Sequence, residues 1–177
     1  MIMEKSEIQA RLISNHAAFA SFIRNLSDVL ANHSMPGKWT PVQQLSHIQK
    51  SVSPVKIAFI LPKFILLILF GKANRPSRSY DELVAKYISK LEAGGKSTTR
   101  FLPDSICDRI GLQDSIERQV KILSKRIDRF SERELDQFIL PHPLLGKLTL
   151  REMLYFTIHH VHHHHFQINP SLRKSVA

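Results

Sequence analysis

Apolar residues recur at helical spacing along almost the whole 177-residue chain, and capping signatures divide the pattern into segments. The first stripe runs over Ser6–His33 through Ile8, Leu12, Phe19, Phe22, Ile23, Leu26 and Leu30, with Met35-Pro36-Gly37 closing it. Thr40-Pro41-Val42-Gln43, Ser79–Glu82, Ser131–Glu134 and Thr149–Glu152 each place a hydroxyl residue three positions before Glu or Gln, the pattern of a capping box. A further stripe, roughly Ser105–Phe130, follows Pro103-Asp104. Alternating β-branched runs are absent, and Pro141–Lys147 reads as a tight loop. The expected fold is therefore all-α. Four long helices, at about 6–33, 40–53, 105–130 and 149–168, form a four-helix bundle within one domain over 1–177. An inserted helical hairpin at about 55–100 joins the second helix to the third, and Pro170 stops the last.

Ile57–Phe70 is the most apolar stretch. It contains Pro62 and Lys63, and its apolar length of about 14 residues falls short of the roughly 20 needed to span a bilayer. A buried or partner-covered hairpin is expected, which leaves a homodimer interface as one use for it. Lys and Arg exceed Asp and Glu by 25 to 15, giving a net charge of +10. These cations are dispersed, with local groups at Lys72, Arg75 and Arg78 and at Arg173 and Lys174, rather than set in a stripe with interleaved aromatics. Nucleic acid and membrane are accordingly not the expected partners, although the basic surface keeps either as an alternative. No signal peptide opens the sequence, so a cytoplasmic location is expected. The single cysteine, Cys107, excludes a disulfide framework within the chain and reads as a core thiol.

Six of the ten histidines fall between His159 and His165. At about 100° per residue, His160 and His164 lie one turn apart on the side carrying Phe156, Met153 and Thr157, facing the bundle interior. His159 and His162 should point away, and His163 and His165 should flank. Two imidazoles at i and i+4 on an inward face can bind one metal ion. His47, two turns into the second helix among Val42, Leu45 and Ile48, is the candidate third ligand. His16, His33 and His142 lack such company and read as structural.

Three stretches carry a family resemblance. Lys38-Trp39-Thr40-Pro41-Val42-Gln43-Gln44-Leu45-Ser46-His47-Ile48 resembles the second-helix signature of the DinB-like superfamily. His142-Pro143-Leu144-Leu145-Gly146-Lys147-Leu148-Thr149 is similar to its lead into the last helix, and His160 to Ile168 to its H-x-x-H-H-x-x-Q-I ending. Asn74–Leu83 is also similar to members of one branch. The resemblance implies a bundle holding one divalent metal through His47, His160 and His164. It places Val161 where the family often carries Asp or Glu. Homodimers are common in the family.

A three-imidazole site keeps an open coordination position and suits Zn or Ni better than Mg or Ca. The implied function is a divalent-metal-dependent enzyme that activates water or a thiol for a small-molecule substrate. Characterised relatives include thiol-dependent S-transferases and isomerases, which would add a low-molecular-weight thiol as cofactor, with Arg75 or Arg78 receiving its carboxylates. A non-catalytic metal-binding or stress-response module is the alternative.

Overall fold

The computed structural model describes residues 2–34 and 36–169. The expected positions of Met35, Pro170, Arg173 and Lys174 lie outside these residues. Four helices make the bundle: α1 (Lys5–Arg24), α3 (Pro41–Ile60), α6 (Arg109–Ile127) and α8 (Leu150–Ile168). Both α6 and α8 pack against α1 and α3. Between α3 and α6 come α4 (Lys63–Phe70), which leans on strand β1 (Ile139–His142), and α5 (Tyr80–Glu92), which packs on α8. Two short helices, α2 (Asp28–Asn32) and α7 (Glu132–Gln137), and one 3-10 turn at Thr99–Phe101 complete the helical set among the described residues.

All four capping boxes form, at Thr40/Gln43, Ser79/Glu82, Ser131/Glu134 and Thr149/Glu152. Each satisfies two otherwise orphaned backbone N–H groups at a helix start and contributes about 1 kcal/mol. One continuous apolar core fills the bundle, with Phe19, Phe59, Phe130 and Tyr155 among its largest fully buried side chains.

Several boundaries differ from the expectation. The first stripe is not one helix. It breaks after Arg24, and Ser27 starts α2 by accepting a hydrogen bond from the Leu30 N–H. Val29 and Leu30 are exposed and only the small Ala31 is buried, so little core burial holds the last turn in line. Conversely, Pro54 does not end α3. A mid-helix proline costs about 3 kcal/mol, and the burial of Val52, Val55, Ala58 and Phe59 around it, at roughly 1.5–3 kcal/mol for each larger side chain, outweighs that. The helix stops at Leu61-Pro62 instead, where proline drives the preceding residue to extended geometry. The third bundle helix starts at Arg109, four residues later than expected. Asp104 is drawn to Ser46 and to Lys50 Nζ at 2.7 Å, and Ile106 is fully in solvent.

The expected Pro141–Lys147 loop is a β-hairpin. Strand β1 pairs antiparallel with β2 (Gly146–Thr149), Ile139 opposite Thr149 and His142 opposite Gly146. Gly146 takes φ 77°, which disfavours any side chain. His142 Nδ1 accepts from the Leu144 and Leu145 N–H groups and closes the turn.

Ile57–Phe70 is left mostly uncovered by this chain's own core. Ile57–Ile60 is the last turn of α3, the chain bends by 115° into α4, and Leu66 is the one buried residue of α4. No single described helix is long and apolar enough to cross a membrane.

Candidate metal centre

The N-terminal half of α3, with Gln44 and His47, meets the C-terminal half of α8, with His160 and His164. The capping box of α3 fixes its first turn and therefore the azimuth of His47. The capping box of α8 does the same for His160 and His164. All three rings are buried. Their Nε2 atoms converge: His47 to His160 is 3.1 Å and His164 to His160 is 3.2 Å. Each residue offers one ligand atom within 4.8 Å of the other two.

The opposite ring nitrogens are held. His47 Nδ1 lies 2.6 Å from the Phe101 carbonyl, which can only accept, so that nitrogen carries the proton. His164 Nδ1 lies 2.9 Å from Gln44 Oε1, and the Gln44 amide turns its Nε2 toward the Trp39 carbonyl. Nε2 of His47 and of His164 are therefore bare acceptors. His160 Nε2 carries at most one proton and can donate to only one of them. At least one N···N contact is therefore left with no hydrogen between its two nitrogens inside the protein, an arrangement that a shared cation relieves. Tetrahedral coordination with bonds of about 2.0–2.1 Å puts ligand nitrogens about 3.3 Å apart, close to the observed separations. The donor set fits a borderline divalent ion, and the orientation of two rings by a carbonyl and an amide is what such sites use to fix the tautomer.

The surroundings keep the rings neutral. Burial lowers the pKa of His47 below 6.5, against the raising effect of the Phe101 carbonyl. His160 and His164 are driven well below 6.5 by burial first and then by neighbouring imidazoles. Trp39 lies 4.9 Å from His47, ring centre to ring centre, and parallel to His164. Phe156 stacks on His160 at 4.8 Å. Tyr87 packs edge-on against Phe156 and His160.

Of the other expected positions, His162 faces solvent and His163 and His165 flank. His159 does not point away. It is half-buried between the rings of Tyr80 and Tyr87, because α5 covers that side of α8. His16 is buried with Nδ1 on the Leu12 carbonyl, and His33 is exposed. Cys107 is only partly buried, its thiol donating to the Asp104 carbonyl. Val161 is fully buried.

Arg75 and Arg78 are not free to receive a cofactor's carboxylates. Both are engaged by Glu152, which has no exposure and accepts from Arg75 Nη1 at 2.7 Å, Arg75 Nη2 at 2.8 Å and the Arg78 N–H at 2.8 Å. Burial raises the Glu152 pKa, but these donors and the Thr149 N–H outweigh it and hold the carboxyl below its usual range. Next to it, Arg151 is likewise buried, held by Glu132 and Asp136. Sequence reasoning missed Gln44 and the Phe101 carbonyl. Gln44 lies one turn before His47 on the same helix face, which is a usable signal. A backbone carbonyl more than fifty residues away gives none.

No curated protein sequence matches the chain significantly. Among solved structures the fold is similar to YfiT from Bacillus subtilis, described as a probable metal-dependent hydrolase with an unusual four-helix bundle topology. The TM-score is 0.64 at 19% sequence identity, covering 97% of this chain and 87% of that one. The family description of the DinB superfamily matches residues 11–168, most of the chain, and the chain belongs to that superfamily.

Proposed function

We propose that the chain is a metal-dependent enzyme acting on a small molecule, with one divalent ion, Zn or Ni, held by His47, His160 and His164. The observation that carries this reading is the convergence of three buried Nε2 atoms, two of which are bare acceptors. When bound, an ion on three neutral imidazoles supplies Lewis acidity at an open position, where a water or a thiol loses its proton near neutral pH. The Phe101 carbonyl and Gln44 hold two of the rings in the tautomer that presents Nε2. Trp39 and Phe156 cover ring faces and keep bulk water from them. Glu152 is not available as a general base, because its oxygens are committed to Arg75, Arg78 and Thr149. Hydrolysis and thiol-dependent group transfer are the two reaction classes that use such a centre. The YfiT likeness favours the first and the characterised superfamily relatives the second.

The test is metal content per chain of tag-free protein, with turnover assayed on hydrolase substrates and on electrophiles with low-molecular-weight thiols. His47→Ala, His160→Ala and His164→Ala should each lose the stoichiometric ion and the turnover, while His162→Ala keeps both. Retention of one ion per chain by all three alanine variants would refute the site. Stoichiometric metal with no turnover would leave a metal-binding module.

A further inference from the structure

The bend between α3 and α4 is an apolar elbow that the fold leaves uncovered. Ile57 and Ile60 project from the last turn of α3, and Phe64, Leu67, Ile68 and Leu69 from α4, with Phe64 64% and Ile68 76% exposed. Phe64, Leu67 and Ile68 lie on the side of α4 away from the buried Leu66. Together these side chains present apolar surface on the order of 600 Å², the upper end of the largest patch on an ordinary monomer.

The charge around the elbow is cationic apart from Glu134, which Lys63 neutralises. No Asp or Glu occurs between Asp28 and Asp81. Lys63 is paired with Glu134 at 2.6 Å and is spent. Lys56 adjoins Ile57, and Lys72 follows α4. Arg129 donates to the Phe59 and Ile60 carbonyls at 3.0 and 2.7 Å, which fixes a guanidinium at the bend itself. None of these three has a carboxylate partner among the described residues.

We infer that this elbow docks the protein on an anionic lipid bilayer. The apolar side chains enter the boundary between headgroups and acyl chains, and Lys56, Lys72 and Arg129 sit at phosphate level. The elbow lies on the surface of the bilayer rather than across it, because neither helix by itself is both long and apolar enough to span. A second copy of the chain is the poorer occupant. A two-fold contact through the same elbow would set these cations near their own duplicates, with no acidic residue in the segment to answer them. His47 is near the other end of α3, so docking leaves the metal centre clear of the lipid. The inference does not depend on whether that centre binds metal.

Vesicle flotation tests it. Vesicles of phosphatidylcholine with phosphatidylglycerol in equal parts should bind the protein at least roughly tenfold better than phosphatidylcholine alone, and raising salt to about 0.5 M should weaken that binding. Phe64→Glu with Ile68→Glu should abolish binding without changing the helical signal or metal content, since both residues are exposed. Lys56→Gln and Lys72→Gln should each weaken it roughly fivefold. Equal partition into both vesicles, or unchanged binding by the double glutamate variant, would overturn the inference. So would self-association lost in that variant, seen by sedimentation equilibrium, without any vesicle binding by the wild type.

Discussion

Acidification should destabilise this protein from about pH 6.5 downward, and His16 gives a contribution that can be isolated. The ring is 1% exposed, donates from Nδ1 to the Leu12 carbonyl at 2.8 Å, and leaves Nε2 with no hydrogen-bond partner. Burial lowers its pKa to about 4, the Leu12 hydrogen bond opposing only weakly. The sign follows from proton counting. Below pH 6.5 the unfolded chain takes up a proton at this position that the folded chain refuses, so stability falls as pH falls, and it levels off only near pH 4. The gap between 6.5 and about 4 corresponds to about 3 kcal/mol, of which about 2.5 kcal/mol is lost by about pH 4.5. The assay is urea unfolding at about pH 7 and about pH 4.5 in chelator, comparing wild type with His16→Leu. His142 and His159, with pKa lowered to about 4, titrate alike in both proteins and cancel. The variant should lose about 2.5 kcal/mol less than wild type on acidification. An identical acid loss in the two proteins would show that the buried ring is not refusing the proton.

Two further predictions concern polar groups that hold the helices in place. Glu152→Gln keeps the size of the side chain but leaves Arg75 and Arg78 without their carboxylate at a site with no exposure, and should cost about 3–5 kcal/mol, a fall in Tm of roughly 10 °C; a loss below about 1 kcal/mol by thermal unfolding would contradict the role assigned to the cluster. Gln44→Leu removes the acceptor that orients His164 and should weaken metal binding by about 10- to 100-fold in a competition titration with a chromophoric chelator, with the fold intact; unchanged affinity would mean that the amide does not set the ring.

Much of the fold and the meeting of the three imidazoles was legible because both depend on local rules. A capping box is a four-residue event, and all four appeared where the spacing placed them. His160 and His164 share a face by helix geometry alone, and His47 followed from its apolar neighbours. The errors arose where a local rule met a distant competitor. Pro54 breaks helices in isolation, but here core packing on both sides holds the helix through it. Asp104 looked like a helix start, yet its carboxylate is taken by Lys50 and Ser46 of another helix. The hairpin at Ile139–Thr149 escaped because its strands are four residues long and carry Pro141, too short for alternation to show.

The elbow shows a different limit. Periodicity and composition report that Ile57–Phe70 is apolar, and from that a covered segment is the natural expectation, because apolar surface in water is costly. What covers it is not written in the segment. The bundle core takes only Leu66 of α4 fully inside, Phe70 packs part-buried against it, and Phe64, Leu67, Ile68 and Leu69 face outward. Burial on folding and burial on docking leave the same signature in sequence, and only the placement of the side chains separates them. The absence of acidic residues from Val29 to Tyr80 was visible in the sequence from the start, but it acquires meaning once the apolar surface it surrounds is known to be exposed. A core helix has no use for a rim of unpaired cations. A surface that must approach phosphate headgroups does, and this is why the charge pattern and the exposure together argue for a lipid partner where either alone would not.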